Sequence, residues 1–137
     1  MGLKCITDVE SLARDVVERV RNITIEALAD AGERAVSLCK SSKTYKDDTG
    51  SLTASIGFGV VKDGNLVRVG GFGGGTGGSR GMAFLDSVRG DVRDGLIIVA
   101  GMEYALYVER KGYVVLDGGT LRVAQDIANY LRDVWLK

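Results

Sequence analysis

The sequence predicts an α+β fold in which a small, mainly antiparallel sheet packs against helices. Three observations predict it: a long helical period near the start, an alternating segment followed by a turn signal in the middle, and a short apolar run followed by helix-end signals. The chain has 137 residues, of which 45% are hydrophobic, which suits one domain with one core. We therefore expect a single domain over residues 1–137, with its helices on one face of the sheet.

The first predicted element is a long amphipathic helix over about residues 8–40. Thr7 can cap its first amides, and Glu10, three residues later, can complete a capping box. Apolar residues then recur at steps of three and four: Val9, Leu12, Val16, Val20, Ile23, Ala27 and Ala31. At ~1.5 Å per residue such a helix is roughly 50 Å long. It exceeds what a small sheet can cover, so we expect one end to be exposed.

A β-hairpin is predicted over about residues 52–69. From Leu52 onward, apolar residues alternate with small or polar ones, which is the period of a half-buried strand. Asp63 and Gly64 follow, and both tolerate the positive φ of a tight hairpin turn. A second apolar run at residues 66–69 completes the hairpin.

The segment that follows, residues 70–81, is predicted to be a flexible loop. It carries eight glycines in twelve positions, so it offers too little side-chain surface to remain ordered alone. Phe72 and Arg80 within it are candidates for contact with a partner. Residues 82–93 fit either a short helix or a strand.

Four further elements complete the prediction. An apolar run at about 96–100 predicts a central strand. A short helix is predicted over about 102–111, because an acidic residue lies in its first turn and basic residues lie in its last turn. Residues 113–116 predict a short strand, and a final helix is expected over about 120–136 with Thr120 as its cap. Trp135, near the end of that helix, can either pack internally or anchor a partner.

Composition excludes several classes of function. Eighteen basic and eighteen acidic residues cancel, whereas proteins that wrap duplex DNA carry a cationic excess. Histidine, the commonest general base and metal ligand, is absent. We expect no enzymatic activity, cofactor or metal, and a soluble cytosolic protein, because the sequence shows no signal peptide or membrane span. Cys5 and Cys39 are expected to be reduced thiols.

Two short strings resemble motifs of the small head-tail joining proteins of tailed phages, the neck or tail-completion family. Their residues are Thr49, Gly50, Leu52, Ser55 and Ile56 in the first string, and Tyr104, Ala105, Tyr107, Val108 and Glu109 in the second. The first resembles the family's turn into its first strand, where Gly50 permits the turn and Leu52 begins the buried alternation. The second resembles its short helix after a hydrophobic strand, in which Tyr104, Ala105 and Val108 would face the sheet.

The resemblance implies a non-enzymatic building block that assembles, as a ring, at the junction between head and tail. Its implied partners are copies of itself and neighbouring head or tail proteins, with no small-molecule substrate, no membrane and no specific nucleic acid. The protein would be made in the host cytoplasm and then become part of the virion. The glycine-rich loop would either contact neighbouring rings or be a flexible extension without a function.

Two alternative functions remain open at this stage. Gly73, Gly75 and Gly78 have the spacing of a G-x-G-x-x-G fingerprint, which in a strand-turn-helix unit binds a pyrophosphate. No such unit is predicted around them. The first alternative is a small nucleotide-binding or enzymatic module that uses the glycine tract. The second is a small nucleic-acid-binding regulator.

Overall fold

The α+β class is confirmed by a computed structural model that describes residues 2–5, 8–41, 46–47, 49–103, 105–111, 115–116, 125, 127–129 and 132–133. Its helices are α1 (Val9–Ser41), α2 (Ser51–Ala54), α3 (Gly75–Val88) and α4 (Ala105–Arg110), and its strands are β1 (Ile56–Lys62), β2 (Asn65–Gly70) and β3 (Gly95–Ala100). A short 3-10 turn, Arg89–Asp91, leads from α3 toward β3. The described residues of the predicted C-terminal helix, namely 125, 127–129 and 132–133, are helical.

Within the described residues the sheet has three antiparallel strands in the order β2-β1-β3, so β1 is central. The run at 96–100 forms β3 but lies at an edge of this sheet, so the prediction that it is a central strand is wrong. The predicted hairpin turn is present at Asp63 and Gly64, whose φ angles are 54° and 78°. Gly64 N–H donates to the carbonyl oxygen of Arg93 at 2.9 Å, which ties the turn to the segment before β3. A bulge interrupts the β1–β2 pairing between Val60 and Val61.

Helix α1 covers one face of the sheet, and its length confirms the predicted long helix. Asp8 Oδ1 accepts a hydrogen bond from Glu10 N–H at 3.1 Å and caps the first turn, whereas the predicted cap Thr7 lies outside the described residues. The buried part of α1 is its later half, which presents small residues to the sheet: Ala27, Ala31, Gly32, Ala35, Val36 and Cys39. Residues 9–19 are all exposed, as expected for a helix that extends past a small sheet.

Helix α3 covers the opposite face, so the expectation that all helices share one face is wrong. Successive residues of a strand point to opposite faces. Phe58 lies against Gly32 of α1, while its neighbour Gly59 lies beneath Leu85 of α3. With both faces covered, the first six residues of β1 are buried, and the predicted half-buried strand is instead a fully buried one.

The glycine-rich segment is mostly helical, so the prediction of a flexible loop over 70–81 is wrong. Gly70 ends β2, residues 71–74 form the connection, and α3 begins at Gly75. The helix continues to Val88, so residues 82–88 of the segment 82–93, which fitted either a helix or a strand, are helical. Glycine is a poor helix former in isolation, so close packing of α3 against the rest of the molecule must stabilise this helix.

The region after β3 is less regular than predicted. Helix α4 covers six residues rather than the ten predicted over 102–111. Val115 and Leu116 form a bend and not a strand, while residues 113 and 114 lie outside the described residues. Among the helices that the structure describes, none is both long and apolar enough to cross a membrane.

Candidate functional site

The two strings that resemble the phage family meet in the core. Leu52 and Ile56 from the first string, and Ala105 from the second, belong to one cluster of buried side chains. Their exposed fractions are 2%, 0% and 8%. We call the region where the two strings meet the joint; it is formed by α2, the start of β1 and the start of α4.

The first string forms a helical turn rather than the start of a strand, which corrects the role expected of Leu52. Gly50 adopts the left-handed conformation with φ 73°, and Thr49 Oγ1 accepts a hydrogen bond from Ser51 N–H at 3.3 Å. Asp47 Oδ2 accepts a hydrogen bond from Thr53 N–H at 2.8 Å. These two acceptors satisfy amides that a helix start leaves without intrahelical partners, and the strand begins only at Ile56.

Ser55 connects three elements at the joint. It is fully buried, and its hydroxyl donates to the carbonyl oxygen of Leu52 at 2.7 Å. Its own carbonyl oxygen accepts from Gly101 N–H at 3.2 Å, just after β3. The adjacent Ala54 carbonyl oxygen accepts from Gly73 N–H at 2.9 Å, so the turn before α3 is held to α2 as well.

Glycines allow α3 to approach the joint at backbone distance. A Cβ on Gly77 would overlap the carbonyl group of Ser51, and a Cβ on Gly81 would lie 2.5 Å from the carbonyl oxygen of Ser55. Gly101 is packed in the same way, because its Cβ would lie 2.5 Å from the Cα of Gly81. Sequence reasoning missed these residues, although Gly77 and Gly81 stand four apart, the spacing of one helix face.

The second string closes the other side of the joint. Glu109 Oε1 accepts a hydrogen bond from Leu116 N–H at 2.9 Å, and the Leu116 carbonyl oxygen accepts from the Cys39 thiol at 3.4 Å. These bonds hold the bend after α4 so that Val115 enters the core with 1% exposure. Tyr107 and Val108 belong to α4, and Tyr104 lies outside the described residues.

An apolar groove of about 440 Å³ opens beside the joint, between α3, the end of β3 and α4. Its walls include Phe84, Met102, Leu106 and Leu116. Phe84 is 45% exposed and Leu106 is 58% exposed. Exposed aromatic and aliphatic side chains around a recess are typical of a surface that receives apolar side chains from another protein.

The acidic side chains around this groove take part in structural bonds. Glu103 pairs with Arg80 at 3.4 Å, and Glu109 holds the backbone at Leu116. No group of three histidine, cysteine or acidic residues that could hold a metal occurs within the part of the chain that the structure describes.

The three residues predicted as partner contacts have different environments. Phe72 is half-buried, and its ring covers Gly57 and Gly81, so it completes the packing of α3 on β1. Arg80 is exposed and paired with Glu103. Trp135 lies outside the described residues.

A charged cluster that sequence reasoning missed holds α1 to the hairpin turn. Arg21 Nη2 donates to Asp63 Oδ1 at 2.7 Å and to Asp94 Oδ1 at 3.0 Å. Asp94 also accepts from Asp63 N–H at 3.0 Å, and this bond, followed by the one from Arg21, lowers the pKa of Asp94. Bonding to the same two carboxylates raises the pKa of Arg21.

The glycine fingerprint has a structural explanation. Contrary to expectation, a strand and a helix flank it, because β2 precedes the tract and α3 begins within it. A Cβ on Gly73 would lie 2.9 Å from the Cβ of Ala54, and a Cβ on Gly78 would overlap the carbonyl oxygen of Gly73. At these positions the lack of a side chain serves packing within the chain.

No protein-family model, curated protein or solved structure matched this chain.

Proposed function

We propose that this protein is a non-enzymatic structural subunit that joins head and tail in a tailed phage or prophage, where it assembles as a ring. One observation supports the proposal most strongly. The two strings that resemble the joining family lie about fifty residues apart in sequence, yet Leu52, Ile56 and Ala105 share one core cluster. Buried residues that maintain a shape are what a resemblance between structural proteins would preserve.

The groove beside the joint is the surface that would receive a neighbouring subunit. A ring repeats one heterologous contact, in which two different patches of each subunit meet, until the circle closes. Phe84 and Leu106 provide the apolar centre of one patch, and Glu103 with Arg80 provides charges at its rim. An apolar centre with a polar rim is the usual anatomy of a protein–protein interface.

The chemistry of this groove favours a protein partner over a small polar ligand. Its walls are mainly apolar, and the carboxylate of Glu109 already accepts a backbone hydrogen bond. A metabolite would need converging polar groups to fix its orientation. The protein would be made in the host cytoplasm, bind copies of itself and neighbouring head or tail proteins, and remain in the finished virion.

Deleting the gene from the phage or prophage that carries it tests the proposal. Electron microscopy of induced lysates should show filled heads and finished tails that are not joined, and a plasmid copy of the gene should restore joined particles. Normal infectious particles from the deletion strain would overturn the proposal. Purified virions that lack the protein would overturn it as well.

A matched pair of variants tests the groove separately. Leu106→Asp should fold, as judged by circular dichroism, but should fail to restore joined particles because the charge enters the apolar contact. Val92→Asp replaces another exposed apolar residue and should restore them. If both variants complement equally, the groove is not the contact surface.

A further inference from the structure

The two halves of α1 differ sharply in their surroundings. From Ala27 onward the helix packs on the sheet, but every residue from 9 to 19 is exposed. Large apolar residues nevertheless continue along one side of this exposed part and just beyond it: Val9 is 75% exposed, Leu12 53%, Val16 54% and Ile23 38%. We call these four residues, together with the half-buried Val20, the α1 stripe.

The α1 stripe is one continuous surface rather than a set of isolated residues. Its members are separated by three or four positions, which places them along one side of the helix. Arg21 instead points toward the sheet, where it bonds with Asp63 and Asp94. A contiguous apolar strip on a projecting helix is a feature that soluble proteins ordinarily cover with a partner.

We infer that a second copy of this chain covers the α1 stripe, with the two helices antiparallel and a twofold axis at Val16. The stripe is symmetrical about that residue, because Val9 and Ile23 lie seven positions to either side, and Leu12 and Val20 lie four positions to either side. Antiparallel pairing therefore brings Val9 opposite Ile23 of the second copy and Leu12 opposite its Val20. Each apolar residue meets an apolar residue.

Charges beside the stripe select this orientation. Asp15 and Arg19 stand four apart along one edge of it. In the antiparallel pair Asp15 lies within about 3 Å, measured along the axis, of Arg19 of the second copy, and the twofold axis creates this opposite-charge contact twice. In a parallel pair the twofold axis runs along the helices, so the edge that carries Asp15 and Arg19 would face the opposite edge of the stripe and this contact would not form.

The inference concerns the free protein and does not depend on the proposed function. An isologous pair uses the same patch on both copies, whereas a ring contact joins two different patches. The α1 stripe and the groove are separate surfaces, formed by α1 alone and by α3, β3 and α4. The gene-deletion experiment can therefore fail while the pair is found, and the reverse.

Cysteine cross-linking in the full-length chain tests the register. The background is Cys5→Ser, which removes the exposed native thiol and leaves Cys39 buried. Val16→Cys should form a disulfide-linked dimer on mild oxidation, because each Val16 meets its own copy. Val9→Cys and Ile23→Cys should each stay unlinked when alone, since equivalent residues lie about 21 Å apart along the axis, but a mixture of the two should cross-link.

The control is Arg14→Cys, an exposed position on the side of α1 away from the stripe, which should give at most background cross-linking. Efficient linkage of Val9→Cys to itself would indicate a parallel pair and overturn the inference. Equal linkage of Arg14→Cys and Val16→Cys would overturn it too, because random collision would then explain the result.

Sedimentation equilibrium gives an independent test. The wild-type protein should have twice the monomer mass at micromolar concentration, and Leu12→Asp with Val16→Asp should halve the mass while leaving the circular dichroism spectrum unchanged. A wild-type protein that remains monomeric at all concentrations would overturn the inference. If hydrogen exchange of that monomer also showed protection at residues 9–19, the stripe would be covered by the chain's own C-terminal segment.

Discussion

The two faces of β1 are packed by opposite arrangements of large and small residues. Toward α1, the strand presents the large side chains of Ile56, Phe58 and Val60. The helix packs against them with small residues such as Gly32. Toward α3, the strand presents only Gly57 and Gly59 at its centre, and the large side chains come from the other elements. Phe72 fills the space above Gly57, while Leu66 and Leu85 fill the space above Gly59.

This difference shows that either layer can supply the volume of a packed core. Interiors have nearly constant density, so a glycine in one layer requires a larger side chain in the layer above it. The alternation of large residues and glycine from Ile56 to Val60 therefore indicates two buried faces of opposite design, rather than one buried and one exposed.

The largest effect is expected from Phe58→Ala, which empties the α1 face. Phe58 is 2% exposed and packs against both Gly32 and Gly70. Glycine neighbours have no side chains that can move into the space, so we expect the free energy of unfolding to fall by about 3–5 kcal/mol. Urea denaturation measures it. The matched control Phe84→Ala, at a 45% exposed position, should cost about 1 kcal/mol or less; equal losses would contradict the packing described here.

The next effect is expected from Gly81→Ala on the opposite face. In an open helix this change would stabilise by roughly 1 kcal/mol. Here the new Cβ would lie 2.5 Å from the Ser55 carbonyl oxygen, a backbone atom with little freedom to move, so we expect a net loss of about 1–3 kcal/mol.

The control for Gly81→Ala is Gly74→Ser, in the same tract. Nothing lies within 4 Å of a Cβ at Gly74, and serine is a good residue for the N-cap position that Gly74 occupies. Its stability should be unchanged or raised by a few tenths of a kcal/mol. If both variants gained stability in urea denaturation, α3 would not be closely packed on the joint.

A double-mutant cycle between Gly59→Ala and Leu85→Ala tests whether the two residues are in direct contact. A Cβ on Gly59 would lie 2.7 Å from a methyl group of Leu66 and 2.9 Å from one of Leu85, so removing Leu85 relieves one of these two close contacts. We expect the two changes to cost less together than the sum of their separate costs, with a coupling of about 0.5–3 kcal/mol. A control cycle combines Gly59→Ala with Val16→Ala, which lies on the exposed part of α1. Its two costs should add within about 0.5 kcal/mol. Additivity in both cycles would contradict the direct contact.

The smallest effect on stability is expected at the charged cluster between α1 and the hairpin turn, where Asp94 accepts hydrogen bonds from Asp63 N–H and from Arg21. These bonds lower the pKa of Asp94 below its ordinary value of 3.8, so its carboxylate stabilises the fold above that pH and loses this effect as the pH falls through the lower folded-state pKa.

Asp94→Asn should therefore lower the urea midpoint at pH 7 and have a smaller effect near pH 3, measured as the difference from wild type. Asp91→Asn is the control, because it also removes one carboxylate from this segment; its urea midpoint is measured at the same pH values. A wild-type–Asp94→Asn difference that grew on acidification would contradict the assigned bonds.

Elements with local signals were predicted well from the sequence. The spacing of apolar residues predicted α1, and Asp63 with Gly64 predicted the hairpin turn. The apolar run at 96–100 likewise predicted β3. In each case the signal resides in neighbouring residues, because helix and strand periods and turn preferences are local properties.

Elements that depend on contacts distant in sequence were not predicted. The first half of helix α3 was predicted as a flexible loop because it is mostly glycine, and α2 was predicted as part of a strand. The groove and the Arg21 cluster were missed for the same reason. Asp63 and Asp94 lie 42 and 73 positions from Arg21, and no local pattern relates them.

The periodic elements, the turn between the first two strands and the two strings that resemble a joining family can all be identified in the amino-acid sequence alone. Three features follow only from the packing of the folded chain: the glycine-rich segment is largely a helix, β1 is buried on both faces, and the two strings share one core. These features depend on packing because a glycine has little intrinsic preference for an ordered conformation. Whether it marks a flexible loop or a close approach depends on the backbone that lies against it, here the carbonyl groups of Ser51 and Ser55.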